Sequence, residues 1–149
     1  MKKEIEGVVD ITQKKVVLRS AIATGMLKLS QKSLDAISSN QVKKGNVIEA
    51  STIAAIQAVK ETPRIIPHCH PIPLEGCKVD WELLENALHC TVSVTAHYKT
   101  GIEMEALTGV AAGLLCAFDM VKSLEKDEEG QYPVARITDL EVVEKFKGL

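Results

Sequence analysis

The side chains able to do chemistry lie far apart in this sequence of 149 residues. Glu105 and Asp119 both fall in one proline-free stretch, KTGIEMEALTGVAAGLLCAFDMVKSLEKD from Lys99 to Asp127. Its Glu, Met, Ala, Leu and Lys content favours helix from about Ile102 to Lys126. Glu105, Ala112 and Asp119 recur at heptad spacing, which drifts only about 20° per repeat, so both carboxylates share a face. The rise of a continuous helix separates them by about 21 Å. Two groups that far apart do not act on one atom of a small substrate from one copy of the chain. Either they serve opposite ends of a long ligand, or a second copy brings its own helix alongside. Gly109, Ala112, Gly113 and Cys116 would admit another backbone and favour the second option. The same pattern also describes a core helix with solvated ends, its stripe being Leu107, Val110, Leu114, Phe118 and Val121.

A second group is His68, Cys69 and His70 in PRIIPHCHPIP. Prolines at 63, 67, 71 and 73 forbid regular helix and central strand, so a stiff, extended crossing is expected, with Pro63 stopping the preceding helix. In an extended chain His68 and His70 point to one side and Cys69 to the other. Zinc needs three or four ligands, which His97 or Cys77 would have to complete. No other ligand spacing is present, so a rigid loop presenting one working histidine is preferred. Lys43, Lys44 and Gly45 precede the N-terminus of a helix from Val47 to Glu61, where free N–H groups and the helix dipole attract anions; a solvated turn is the plainer alternative. Asn46 and Glu49 have capping-box spacing there. Arg19 lies among small residues on one face of a strand, either as a phosphate contact or as a solvated edge.

These groups are positioned by a simple order of elements. Lys15 to Leu29 alternates as a strand, with Val16, Leu18, Ile22 and Met26 on one side and Val17, Arg19, Ala21, Ala23 and Gly25 on the other. Ser30 is placed to cap a short helix through about Ser38. Lys78–Leu83 and Leu88–Tyr98 form a hairpin about Glu85-Asn86, its buried face being Leu88, Cys90, Val92, Val94 and Ala96. Tyr132 to Val143 reads as a last strand. Strand, two helices, two strands, long helix and strand make an α+β layer that approximates the split βαβ arrangement.

The length suits a single domain, residues 1–149. A net charge of −2 and only five aromatic residues give no electrostatic footprint and no stacking platform for nucleic acid. No signal sequence is legible after Met1, and no apolar run is read as reaching the length of a membrane span. Cys69, Cys77, Cys90 and Cys116 form no CxxC pair, so reduced thiols in a cytoplasmic protein are expected.

HCHP at 68–71, KTGIEMEALTGV at 99–110 and DMVKSLEKD at 119–127 resemble the motifs of the cyclic pyranopterin monophosphate synthases, the MoaC family of molybdenum cofactor biosynthesis. Val9-Asp10-Ile11, the Arg19/Ala21/Ala23 pattern, Lys44-Gly45, Ile56 to Lys60 and Ile65-Ile66-Pro67 extend the likeness over nearly the whole chain. The resemblance implies a ferredoxin-like four-stranded antiparallel sheet with helices packed on one face. It implies a homo-oligomer, a hexamer built as a trimer of dimers with sites between subunits. It places catalytic roles on Asp119, Lys122, His70 and Glu105, and substrate contacts on His68, Cys69, His70, Met104, Glu105, Lys44 and Lys145. Arg19 and Lys126 are further cations available to a triphosphate. Two departures stand out: His68 occupies a position where the family usually has leucine, and the tail FKGL replaces a glycine-rich one.

The implied reaction converts 3′,8-cyclo-7,8-dihydro-GTP, supplied by a radical SAM GTP cyclase, to cyclic pyranopterin monophosphate with release of pyrophosphate. The resemblance names no required cofactor and leaves open whether Mg²⁺ accompanies the triphosphate. Lysines suit the departing pyrophosphate, and Asp119, His70 and Glu105 suit the proton transfers. Asp119 and Lys122, three apart on a helix, can face each other, the lysine keeping the acid ionised as a base. Two other classes compete: a ligand-binding module without chemistry, and a zinc hydrolase built on His68, His70 and His97.

Overall fold

The computed structural model describes residues 1–149. Its elements are β1 (Val17–Lys28), α1 (Gln31–Ser38), α2 (Val47–Ile65), β2 (Gly76–Leu83), β3 (Ala87–Tyr98), α3 (Glu103–Glu125) and β4 (Arg136–Lys147). The strands form one antiparallel sheet in the order β2-β3-β1-β4, the split βαβ order expected, and three helices pack on it.

Burial of α3 organises the rest. Val110, Leu114 and Val121 are wholly buried, while Leu107 and Phe118 sit at the margins of the stripe. Burying each large apolar side chain contributes about 1.5–3 kcal/mol. The helix is long and apolar enough to span a membrane by length and composition, contrary to the sequence reading, but half of its apolar window is buried inside the protein. The small residues of β1 make this fit possible. Ala21, Ala23 and Gly25 face α3, and a Cβ on Gly25 would come within 2.8 Å of Val110 Cγ1. The bulkier Leu18, Ile22 and Met26 turn to the opposite, less covered face.

Gly109 and Gly113 are spent inside the chain rather than on a second copy. A Cβ on Gly109 would stand 2.6 Å from Val59 Cγ2 of α2, and one on Gly113 would stand 3.1 Å from the Trp81 ring. Trp81 is fixed by its Nε1–H, which donates to Thr52 Oγ1 at 2.8 Å.

Three boundaries differ from the sequence reading. Pro63 does not stop α2, which runs on to Ile65. A proline cannot donate to the carbonyl four residues back; here the buried Thr62 hydroxyl donates to that Val59 carbonyl at 3.0 Å and to Ala58 O at 2.9 Å. The crossing that follows is therefore shorter, and it opens with a turn in which Cys69 N–H donates to Ile66 O. β4 starts later and ends later than expected, because its charged second half pairs with β1, Lys145 opposite Ala21 and Lys147 opposite Arg19. Asp139, at φ 56°, lies at an irregularity in that pairing.

Ser30 starts α1, but its hydroxyl caps nothing in its own helix. The Glu125 carboxylate, from the end of α3, does that work. It accepts from Ser30 N–H at 3.1 Å, from the Ser30 hydroxyl at 2.6 Å and from the buried Ser33 hydroxyl. Asn46 behaves as expected, Oδ1 accepting from Glu49 N–H at 3.0 Å. Glu125→Ala should strand the Ser30 N–H and Ser33 hydroxyl, costing about 1–3 kcal/mol. Calorimetry should show Tm lowered by about 3–10 °C, with Glu125→Gln, which keeps an acceptor, losing less.

Candidate active site

Most of the candidate side chains gather in two clusters near opposite ends of α3. The first lies where the α2–β2 connection, the start of α3 and the N-terminal segment meet around a hollow of about 240 Å³. His68, Cys69, His70, Met104 and Glu105 all line it, as do Glu103 and Lys14. His70 Nε2 is 2.7 Å from Val9 O, and His68 Nδ1 bonds to Gly7 O. The two histidines share a side as expected, because the N-terminal segment runs past both.

Glu105 is 3% exposed, and its Oε2 is buried with no hydrogen-bond partner. Burial raises its pKa above the ordinary 4.5, and the neighbouring Glu103 carboxylate adds to the rise. Glu103 is held by Lys145, Nζ to Oε1 at 3.2 Å, and its Oε2 is also buried without a partner. The Cys69 thiol is pushed up by burial and then by the Glu105 and Glu103 charges, so it stays a thiol and makes a poor nucleophile.

The second cluster joins Lys44, Asp119 and Lys122. Gly45, at φ 116°, turns the chain just before α2. Lys44 Nζ reaches Asp119 Oδ2 at 2.9 Å and its carbonyl oxygen at 3.1 Å. Lys122 Nζ lies 3.2 Å from Oδ1. Hydrogen bonds from Lys44 and then Lys122 hold the Asp119 carboxyl below its usual range. About half of each side chain faces solvent, so the trio forms an open cationic surface around one anion.

Arg19 is neither a solvated edge nor part of either cluster. It is 5% exposed, Nη2–H donates to Lys99 O at 3.3 Å, and its Nε is buried without a partner. With Lys14, Lys15 and Lys147 it lines a cationic hollow of about 390 Å³. Lys14 lines this hollow and the histidine hollow alike. Lys126 stands apart, exposed just past the end of α3 and in no ion pair. Sequence reasoning passed over Lys14, Lys15 and Lys147, whose only signal was a pair of lysines before β1 and one near the end of the chain.

The zinc reading lacks its ligand set. His97 lies on the sheet with Nδ1 2.6 Å from Glu75 Oε1, and no three His, Cys, Asp or Glu side chains are gathered as a metal site would need.

Residues 8–148 match the MoaC family. The chain belongs to that family. It is 52% identical over 140 residues to a protein of Thermococcus kodakarensis named probable cyclic pyranopterin monophosphate synthase, covering 94% of this chain and 90% of the relative. Proteins with the same name from Sulfurisphaera tokodaii and Methanopyrus kandleri are 47% and 49% identical, each over 94% of this chain and over 93% and 92% of their own lengths. The MoaC match spans both clusters, from Arg19 and Lys44 through His70 to Asp119 and Lys145.

The buried Glu105 of this MoaC chain should leave a pH signature. Its raised pKa means that the folded chain keeps a proton which the unfolded chain has released. Stability attributable to Glu105 is thus highest below the ordinary 4.5 and declines as pH rises toward the folded value. Glu105→Gln removes that decline. In urea titrations from about pH 4 to about pH 8, the variant should gain on the parent as pH rises and then level off. A stability difference independent of pH would contradict the burial effect.

Proposed function

We propose that this chain is a cyclic pyranopterin monophosphate synthase. It converts 3′,8-cyclo-7,8-dihydro-GTP to cyclic pyranopterin monophosphate and expels pyrophosphate, a phosphorus–oxygen lyase step of molybdenum cofactor biosynthesis. The names of its relatives support this, and so does the chemistry of the clusters. The observation that carries most weight is the division of labour between them. A buried acid and a histidine line one hollow, while two lysines bound to one carboxylate stand open to solvent.

Glu105, with its raised pKa, suits a proton donor, and His70 suits the exchange of protons during ring opening and closure. Lys44 and Lys122 stabilise charge developing on the phosphates as pyrophosphate departs. Asp119 stays ionised, as expected, but its lowered pKa makes it a weak base. Its better role is to hold both lysine ammonium groups at fixed positions. Arg19, Lys145, Cys69 and Met104 position the substrate, while the His68 ring nitrogen is taken up by Gly7 O. Mg²⁺ accompanies the triphosphate as part of the substrate, and no resident cofactor is needed.

The clusters are separated by about 21 Å of helix, so one copy does not close them on a single substrate. A second copy supplies the missing half, and a trimer of dimers is the assembly proposed. The substrate comes from a radical SAM GTP cyclase, and the reaction takes place in the cytoplasm, where the four free cysteines stay reduced.

Incubation with 3′,8-cyclo-7,8-dihydro-GTP should yield pyrophosphate and the cyclic pterin phosphate in equal amounts. Nucleotide binding without pyrophosphate release would leave a binding module instead. Asp119→Asn should lower turnover by about 100-fold or more, since it removes the negative charge that both lysines are held against. Full turnover by this variant would remove Asp119 from the mechanism.

A further inference from the structure

Residues 1–16 form no helix or strand, and the first ten are all exposed. Within this segment the only backbone hydrogen bond is Lys14 N–H to Ile11 O at 3.0 Å, and Asp10 Oδ1 accepts from Thr12 N–H at 2.9 Å. Both bonds are internal to the segment. The polar ties to the rest of the chain are the two imidazoles, His68 at Gly7 O and His70 at Val9 O. The spacing matches on both sides: the histidines are two positions apart and so are the carbonyls they meet, across a bend at Gly7–Val8 and a turn at His68. Val9, Ile11 and Lys14 of the strap also line the first hollow.

A carbonyl oxygen only accepts, so each ring nitrogen facing one must carry the proton. For His70 this fixes Nε2–H and leaves the Nδ1 lone pair as the basic atom. His68 is tied through Nδ1–H, and that nitrogen is no longer available to a substrate.

We propose that His68 is a positioning residue: it fastens the strap at Gly7, and the strap's Val9 carbonyl in turn holds the His70 ring in one orientation and tautomer. The site is preorganised by a segment with almost no packing of its own. Through its effect on turnover this inference rests on the proposed synthase activity; the attachment of the strap does not.

The test compares the full-length protein with His68→Leu, which keeps bulk and removes the donor, and His68→Gln, which restores an N–H. Trypsin cleavage after Lys14 and Lys15 reports the strap, the Nε2–H resonance of His70 reports the ring, and kcat and KM for the cyclised nucleotide report function. His68→Leu should speed cleavage by about tenfold, erase the His70 resonance and lower kcat several-fold more than it raises KM. His68→Gln should recover all three. Unchanged cleavage in His68→Leu would overturn the proposal, and a raised KM with an intact strap would make His68 a direct substrate contact instead. Faster cleavage with an unaltered His70 resonance would show that the strap does not hold the ring. If the parent releases no pyrophosphate, cleavage and resonance still decide the strap, while the synthase reading alone fails.

Discussion

A buried helix is a rigid spacer. α3 places Glu105 and Asp119 fourteen residues apart, and at about 1.5 Å per residue no choice of rotamer brings them onto one small molecule. The helix is locked in place along its length. Gly109 and Gly113 let α2 and Trp81 close against it, Gly25 lets it settle on β1, and Glu125 at its end anchors α1. Residues that fix the fold therefore also fix the distance between the two clusters.

The same helix gives its two acids opposite characters. Glu105 is buried at its N-terminal end, where desolvation favours the neutral form. Asp119 is half exposed near the other end, where two ammonium groups favour the charged form. One carboxyl is disposed to give a proton and the other to remain an anion, and the difference comes from environment rather than residue type. Lys44 is placed by Gly45 and α2, and Lys122 by the next turn of α3, so the anionic anchor depends on two separate elements. Lys145 is delivered to Glu103 only because β4 continues past Val143 beside β1.

Patterns of period and punctuation carried much of this architecture. The hairpin register, the cap at Asn46, the extent of α3 and the facing of Asp119 and Lys122 follow from local rules that tertiary contacts reinforce. What was not legible depended on partners distant in sequence. Pro63 reads as a helix stop because nothing local announces that the Thr62 hydroxyl will satisfy the freed carbonyl. Ser30 reads as a cap, but its helix is closed by Glu125, 95 residues away. The late end of β4 was hidden because charged alternation resembles a solvated tail until β1 is there to pair with it. Arg19 was correctly placed on a strand face with small neighbours, but its burial depends on that same pairing. The small residues of α3 were read as an intermolecular surface, whereas Gly109 and Gly113 serve α2 and Trp81.

Whether two copies build one site is tested most directly by hybrid oligomers. Glu105→Gln and Asp119→Asn each disable one half, so the two inactive proteins are mixed, dissociated and allowed to reassociate. If the halves come from different copies, a mixed dimer contains one site with both lesions and one with neither. Random reassociation should then restore about a quarter of the parental pyrophosphate release. Hybrids that form, as shown by native mass spectrometry, yet release no pyrophosphate would mean that each copy carries its whole site, contradicting the shared cleft.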